Sequence, residues 1–151
     1  MTARVERFEM SKKMSLILAS LTLVSGLILY FIPLQLAPVC QRMPDKPPMA
    51  CFWGGQACRG LALCAIALGL VLLVLSFVKE CKSSFQAGLG TANLLLGAIV
   101  YVVLVRFIGG CKNPEMGCRL HTLPAYVMMA LVFVLLGLVY LFQGLKSASK
   151  K

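Results

Sequence analysis

Four apolar runs, residues 14–36, 58–78, 88–108 and 123–145, hold no Asp or Glu and take up most of the chain. A bilayer core about 30 Å thick is crossed by roughly 20 residues at helical rise. Peptide groups in lipid must bond within their own segment, so each run is expected to be a membrane-spanning helix. The segments between them are too short to fold alone. The expected fold is all-α: a single integral-membrane four-helix bundle over residues 1–151.

Composition agrees. Sixty per cent of the 151 residues are apolar and only five are Asp or Glu, far from the mix of a soluble domain. The first run follows Arg4, Arg7, Lys12 and Lys13, as a secretory leader would. It is longer than a leader's apolar region, and residues 35–39 (Gln-Leu-Ala-Pro-Val) hold no small-x-small cleavage site. An uncleaved anchor is expected.

Basic residues orient the chain. The N-terminal four join Lys79, Lys82, Lys146, Lys150 and Lys151 on one side; Arg42, Lys46, Arg59, Arg106, Lys112 and Arg119 fall on the other. The excess puts both termini in the cytoplasm and the two cysteine loops outside, in a multi-pass plasma-membrane protein. A net charge of +10 then needs no nucleic acid, since basic flanks suit an anionic inner leaflet. Arg106, two residues from the end of the third run, can extend its stem to the headgroups. With no acidic residue in any span, a proton or cation pathway through this chain alone is not expected.

The two outer loops share an element: Cys40, Met43 and Met49-x-Cys51 in the first, Cys111 and Met116-x-Cys118 in the second. Each precedes an apolar run that ends in an aliphatic stretch, residues 67–73 and 134–140. The chain is consistent with two repeated hairpins, whose parallel copies would bring the loops together; chance similarity between apolar helices is the alternative. Local signals fit. Thr122 is placed to cap the fourth helix ahead of Pro124, and Pro33 to kink the end of the first. Ala65 and Gly69 allow close helix approach. Gly90, Asn93 and Gly97 mark a packing face on which Asn93 should bond to another helix.

The cysteines carry the chemistry. Cys40, Cys51, Cys111, Cys118 and Cys58 are candidates for disulfides or redox exchange. Cys51 and Cys58 share one face if the helix begins early. Cys64 lies deeper, and Cys81, in the loop expected to be cytoplasmic, suits an idle or acylated thiol. Disulfides would staple the loops in an oxidising compartment, and four cysteines permit three connectivities. Alternatively, Cys40, Met43, Met49, Cys51, Cys111, Met116, Cys118 and the sole imidazole, His121, form a soft donor set suited to copper as Cu(I). Zinc would favour Cys and His without methionine, and haem would rest on His121 alone. Thiol–disulfide catalysis normally uses Cys-x-x-Cys, which is absent.

The stretch Met49-x-Cys51-Phe52-Trp53 and the run from Cys111 through Met116-x-Cys118 to Thr122, Pro124 and Ala125 resemble the small prokaryotic four-helix membrane proteins of domain-of-unknown-function family 4418. Phe52 stands where that pattern has a histidine, which weakens a metal reading if that histidine is a ligand. The resemblance implies a bacterial or archaeal plasma membrane and company with transport components, but no activity. Tetraspan junction proteins carry a Trp-Gly-Leu-Trp signature that Trp53-Gly54-Gly55 does not match. With no catalytic residues and no resident cofactor expected, the chain reads as a non-catalytic accessory or interaction subunit with disulfide-stapled loops. A Cu(I) or thiol-redox protein is the alternative. Its expected partners are the lipid bilayer and other membrane proteins.

Overall fold

The structure, a computed structural model, describes residues 2–36, 39, 50–77, 83–109 and 117–148. Helix α1 spans Thr2–Phe31 and ends in a π-helical turn, Ile32–Leu36; α2 spans Ala50–Phe77. Helix α3 spans Ser83–Tyr101 and continues as a π-helix, Val102–Ile108. A third π-helical turn, Cys118–Thr122, leads into α4, Leu123–Ala148. All four helices are long and apolar enough to cross a membrane. Between 22% and 44% of each apolar window is buried, so the larger part of each helix surface faces outward, as lipid contact requires.

α1 packs on α2 and α3 on α4 far more extensively than either hairpin packs on the other. Small residues make this possible. A Cβ on Gly69 would stand 2.8 Å from Leu23 Cα, and one on Gly26 would stand 3.0 Å from Ile66 N. In the second hairpin a Cβ on Gly137 would come within 2.6 Å of Leu94 N, and one on Gly90 within 2.9 Å of Leu141 N. Backbones meet directly here, which is how helices gain dispersion energy where lipid supplies no hydrophobic drive between them. Both small-residue faces expected from the sequence are therefore in use.

The prolines account for two of the π turns. Pro33 has no N–H, so the Leu29 carbonyl four residues earlier loses its helical donor. The Cys58 thiol of α2 supplies one instead, donating to Leu29 O at 3.3 Å. Before Pro124 the backbone opens similarly, and Leu123 N–H reaches back five residues to Cys118 O. Thr122 is consequently no cap. It lies inside the turn, 3% exposed, and Gly117 occupies the cap position without a side-chain bond.

Two helix starts differ from expectation. α2 begins at Ala50 rather than near residue 58, and helical backbone precedes α4 from Gly117. Cys51 and Cys118 thus belong to helix ends and not to loops. Gly54 and Gly55 lie in the stretch expected to precede the second helix. Here they are buried where Val39 and Ile108 press in: a Cβ on Gly55 would meet Val39 at 2.9 Å, and one on Gly54 would meet Ile108 at 3.3 Å.

The buried positions of the two hairpins follow a similar spacing. Buried positions of α1 and α3 match at a constant offset: Ala19 with Gly90, Thr22 with Asn93, Gly26 with Gly97, Leu29 with Val100. In α2 and α4, Cys51 matches Cys118. Beyond the π turn the offset grows by one residue, pairing Cys58 with Tyr126, Ala62 with Ala130, Gly69 with Gly137 and Leu72 with Tyr140. A π turn accommodates one extra residue, and that is the difference.

One matched pair touches: Asn93 Nδ2 donates to Thr22 Oγ1 at 3.4 Å, while the Thr22 hydroxyl donates to Leu18 O. This is the interhelical bond expected of Asn93. Intramembrane bonds of this kind contribute roughly 1 kcal/mol. Asn93→Ala should lower stability in mixed micelles by about that amount, with little further loss on adding Thr22→Val. Additive losses would show that the two side chains do not act as a pair.

Candidate thiol site at the cysteine end of the bundle

The end of the bundle that carries Leu36, Ala50, Ile108 and Cys118 contains a small cavity of about 10 Å³. Val39, Cys51, Gly54, Cys118, Thr122 and Tyr126 are among its walls. That volume suits one water-sized guest and no organic substrate. Cys51 and Cys118 reach it from equivalent points of the two hairpins, and both are buried, 4% and 6% exposed. They therefore line a common space.

Tyr126 forms one wall. Its side chain is 4% exposed, and its hydroxyl sits beside the Cys58 thiol, close enough to interact with it. The phenol adjoins Cys51 and Cys58. Cys58, fully buried, lies one step further in, and its proton is directed at Leu29 O. Sequence reasoning did not single out Tyr126. The signal available was a phenol set one turn inside an apolar span, where its O–H needs a partner.

The other candidates separate. His121 is exposed and does not line the cavity, so the imidazole expected among soft ligands stands apart from the two thiols. Cys64 is exposed on α2. Cys40, Met43, Met49, Cys81, Cys111 and Met116 lie outside the described residues. Among the described residues no two cysteines stand at disulfide distance, and no three His, Cys, Asp or Glu side chains cluster as a metal would require.

Basic groups gather at this end. Arg59 Nη2 donates to the Tyr30 hydroxyl at 3.1 Å, with its guanidinium 5.3 Å from the centre of that ring, clasping α2 to α1. Arg106 is exposed in the last turn of the α3 π-helix, consistent with reaching toward headgroups. Arg119 is exposed directly after Cys118.

The family described as a domain of unknown function, DUF4418, matches residues 22–143. The chain belongs to that family. The matched span runs from Thr22 in α1 to the last turns of α4, so it takes in most of both hairpins and the cavity. No curated protein and no solved structure matches the chain. The family supplies the fold's context and no chemistry, which leaves the cavity residues as the ground for a functional reading.

Proposed function

We propose that this DUF4418 protein is a multi-pass plasma-membrane accessory subunit that holds a pair of thiols, Cys51 and Cys118, at the extracytoplasmic end of its bundle. One observation carries the reading: the two repeat-related cysteines open on one cavity sized for a single small guest. The orientation rests on the surplus of basic residues flanking the opposite end. The broad outward apolar faces suit lipid and the helices of other membrane proteins, transport components included. Disulfide staples joining Cys51 to Cys40 and Cys118 to Cys111 are the rival use of the same sulfurs.

Alkylation separates the two. The protein is purified in detergent without reductant and treated with dibromobimane, which bridges two nearby thiols, then digested and mapped by mass. The expected product is a Cys51–Cys118 bridge, lost in Cys51→Ser and in Cys118→Ser and kept in Cys64→Ser. Recovery of Cys51 and Cys118 in disulfides with the loop cysteines would replace the thiol pair by stapled loops.

A further inference from the structure

We infer that the cavity end of α3 is a gate over Cys51 and Cys118, shut when that end is π-helical and open when it is α-helical. The inference adds regulation to the thiol-site reading and rests on that reading for its purpose. Among the described π segments, Val102–Ile108 alone has no proline in or beside it. The N–H missing at Pro114, the next proline along the chain, concerns the carbonyl four residues earlier, beyond this segment. Packing, and not a lost donor, therefore holds the wide turn. Gly109 N–H closes it by reaching back five residues to Leu104 O at 3.2 Å. Turns of this kind are rare and gather at functional positions.

The side chains show what the turn changes. Leu96, Val100 and Leu104 are buried and mark the inner face of α3. Continued as an α-helix, that face would next present Phe107, two turns beyond Val100. In the structure Phe107 is 81% exposed, and Ile108 packs against the core instead. A π turn holds one more residue than an α turn, so side chains beyond it sit about 100° back from their α-helical direction.

Ile108 is seated on α2 where Gly54 leaves room, since a Cβ on Gly54 would meet it at 3.3 Å. Gly54 and Gly109, the residue after Ile108, are both walls of the cavity. The same seven residues thus have two registers, with Ile108 or Phe107 turned inward. In the π register both cysteines are buried. Return to the α register lifts Ile108 from Gly54 and carries Gly109 out of the wall, which uncovers them.

The test measures how fast Cys51 and Cys118 react with a water-soluble maleimide, each position read by mass. The full chain is reduced with a phosphine and held in lipid nanodiscs, so the rates do not depend on any pairing of these sulfurs. Ile108→Ala removes the seat of the shut register and should speed both reactions by about 10-fold, the factor that about 1.4 kcal/mol produces. Phe107→Ala removes the side chain that holds the open register and should slow both by about the same factor. The opposite signs are decisive, because side chains that only brace the helix end would quicken the reaction when either is trimmed. Deleting Val105 takes one residue out of the wide turn and should give rates at least as fast as those of Ile108→Ala. Alanine variants whose rates do not move in opposite directions, or a deletion chain slower than wild type, overturn the gate. Opposite shifts in a chain that gives no Cys51–Cys118 bridge with dibromobimane remove the thiol pair and leave the gate. A bridge without those shifts removes the gate alone.

Discussion

Gly137→Val should unfold the second hairpin under conditions where the wild-type bundle is intact. A Cβ at position 137 would lie 2.6 Å from Leu94 N and 2.9 Å from Gly90 O. These are backbone atoms of α3, so no side-chain rotation relieves the clash. The helices must separate, losing the contacts that hold them where lipid offers no hydrophobic drive. Overpacking a well-filled interior costs about 1–3 kcal/mol, and more where backbone has to move. A loss of about 3 kcal/mol or more is expected in SDS-induced unfolding from mixed micelles. Gly60→Ala and Gly88→Ala are the controls, because a Cβ at either meets nothing within 4 Å. They should be neutral or slightly stabilising, since alanine improves a helix whose surroundings tolerate it. Similar losses at positions 60, 88 and 137 would mean that helix propensity, and not close approach, sets the role of these glycines.

Cys58→Val should cost roughly 1–3 kcal/mol, the penalty for leaving the buried Leu29 carbonyl without a donor. Pro33 causes that dependence. Lacking an N–H, it deprives Leu29 of its bond from within α1, and the Cys58 thiol replaces it across the hairpin at 3.3 Å. Cys58→Ser keeps a donor and should cost less than Cys58→Val. Pro33→Ala restores the amide to Leu29, so in that background Cys58→Val should lose most of its effect. The measurement is a double-mutant cycle on unfolding free energy. A coupling of about 1 kcal/mol is expected between residues that touch the same carbonyl. Zero coupling would show that Cys58 stabilises the bundle by packing alone.

These two predictions depend on features of different legibility. The glycines at 69, 90 and 97 announced packing faces from their spacing. What each meets was not written there, nor was the crossing of Gly137 with Gly90. Pro33 was placed to disturb the end of α1, but its consequence for Cys58 needed the second helix in position. Thr122 misled: Thr two residues before Pro resembles a cap, yet the missing Pro124 amide opens a π turn and draws Thr122 inside. The start of α2 lies eight residues before the expected one, and Gly54 and Gly55 pack there against Ile108 and Val39.

The repeat shows the same division. Aligning Met49-x-Cys51 with Met116-x-Cys118 is consistent with two repeated hairpins but sets the aliphatic ends one residue out of step. Only the π turn at Cys118–Thr122 reconciles the cysteines with the glycines.

The sequence by itself determined four membrane-length helices and the gathering of cysteines toward one end. Hydropathy over some 20 residues is a one-dimensional property, and the bilayer turns it directly into helices. Tertiary structure decided that Cys51 and Cys118 line one cavity while Cys58 bonds to Leu29, Cys64 faces outward and His121 stands apart. Those choices depend on how the helices pack. Within each hairpin the crossing is set by backbone-to-backbone contacts at glycines of the facing helices, which no local pattern in the chain encodes.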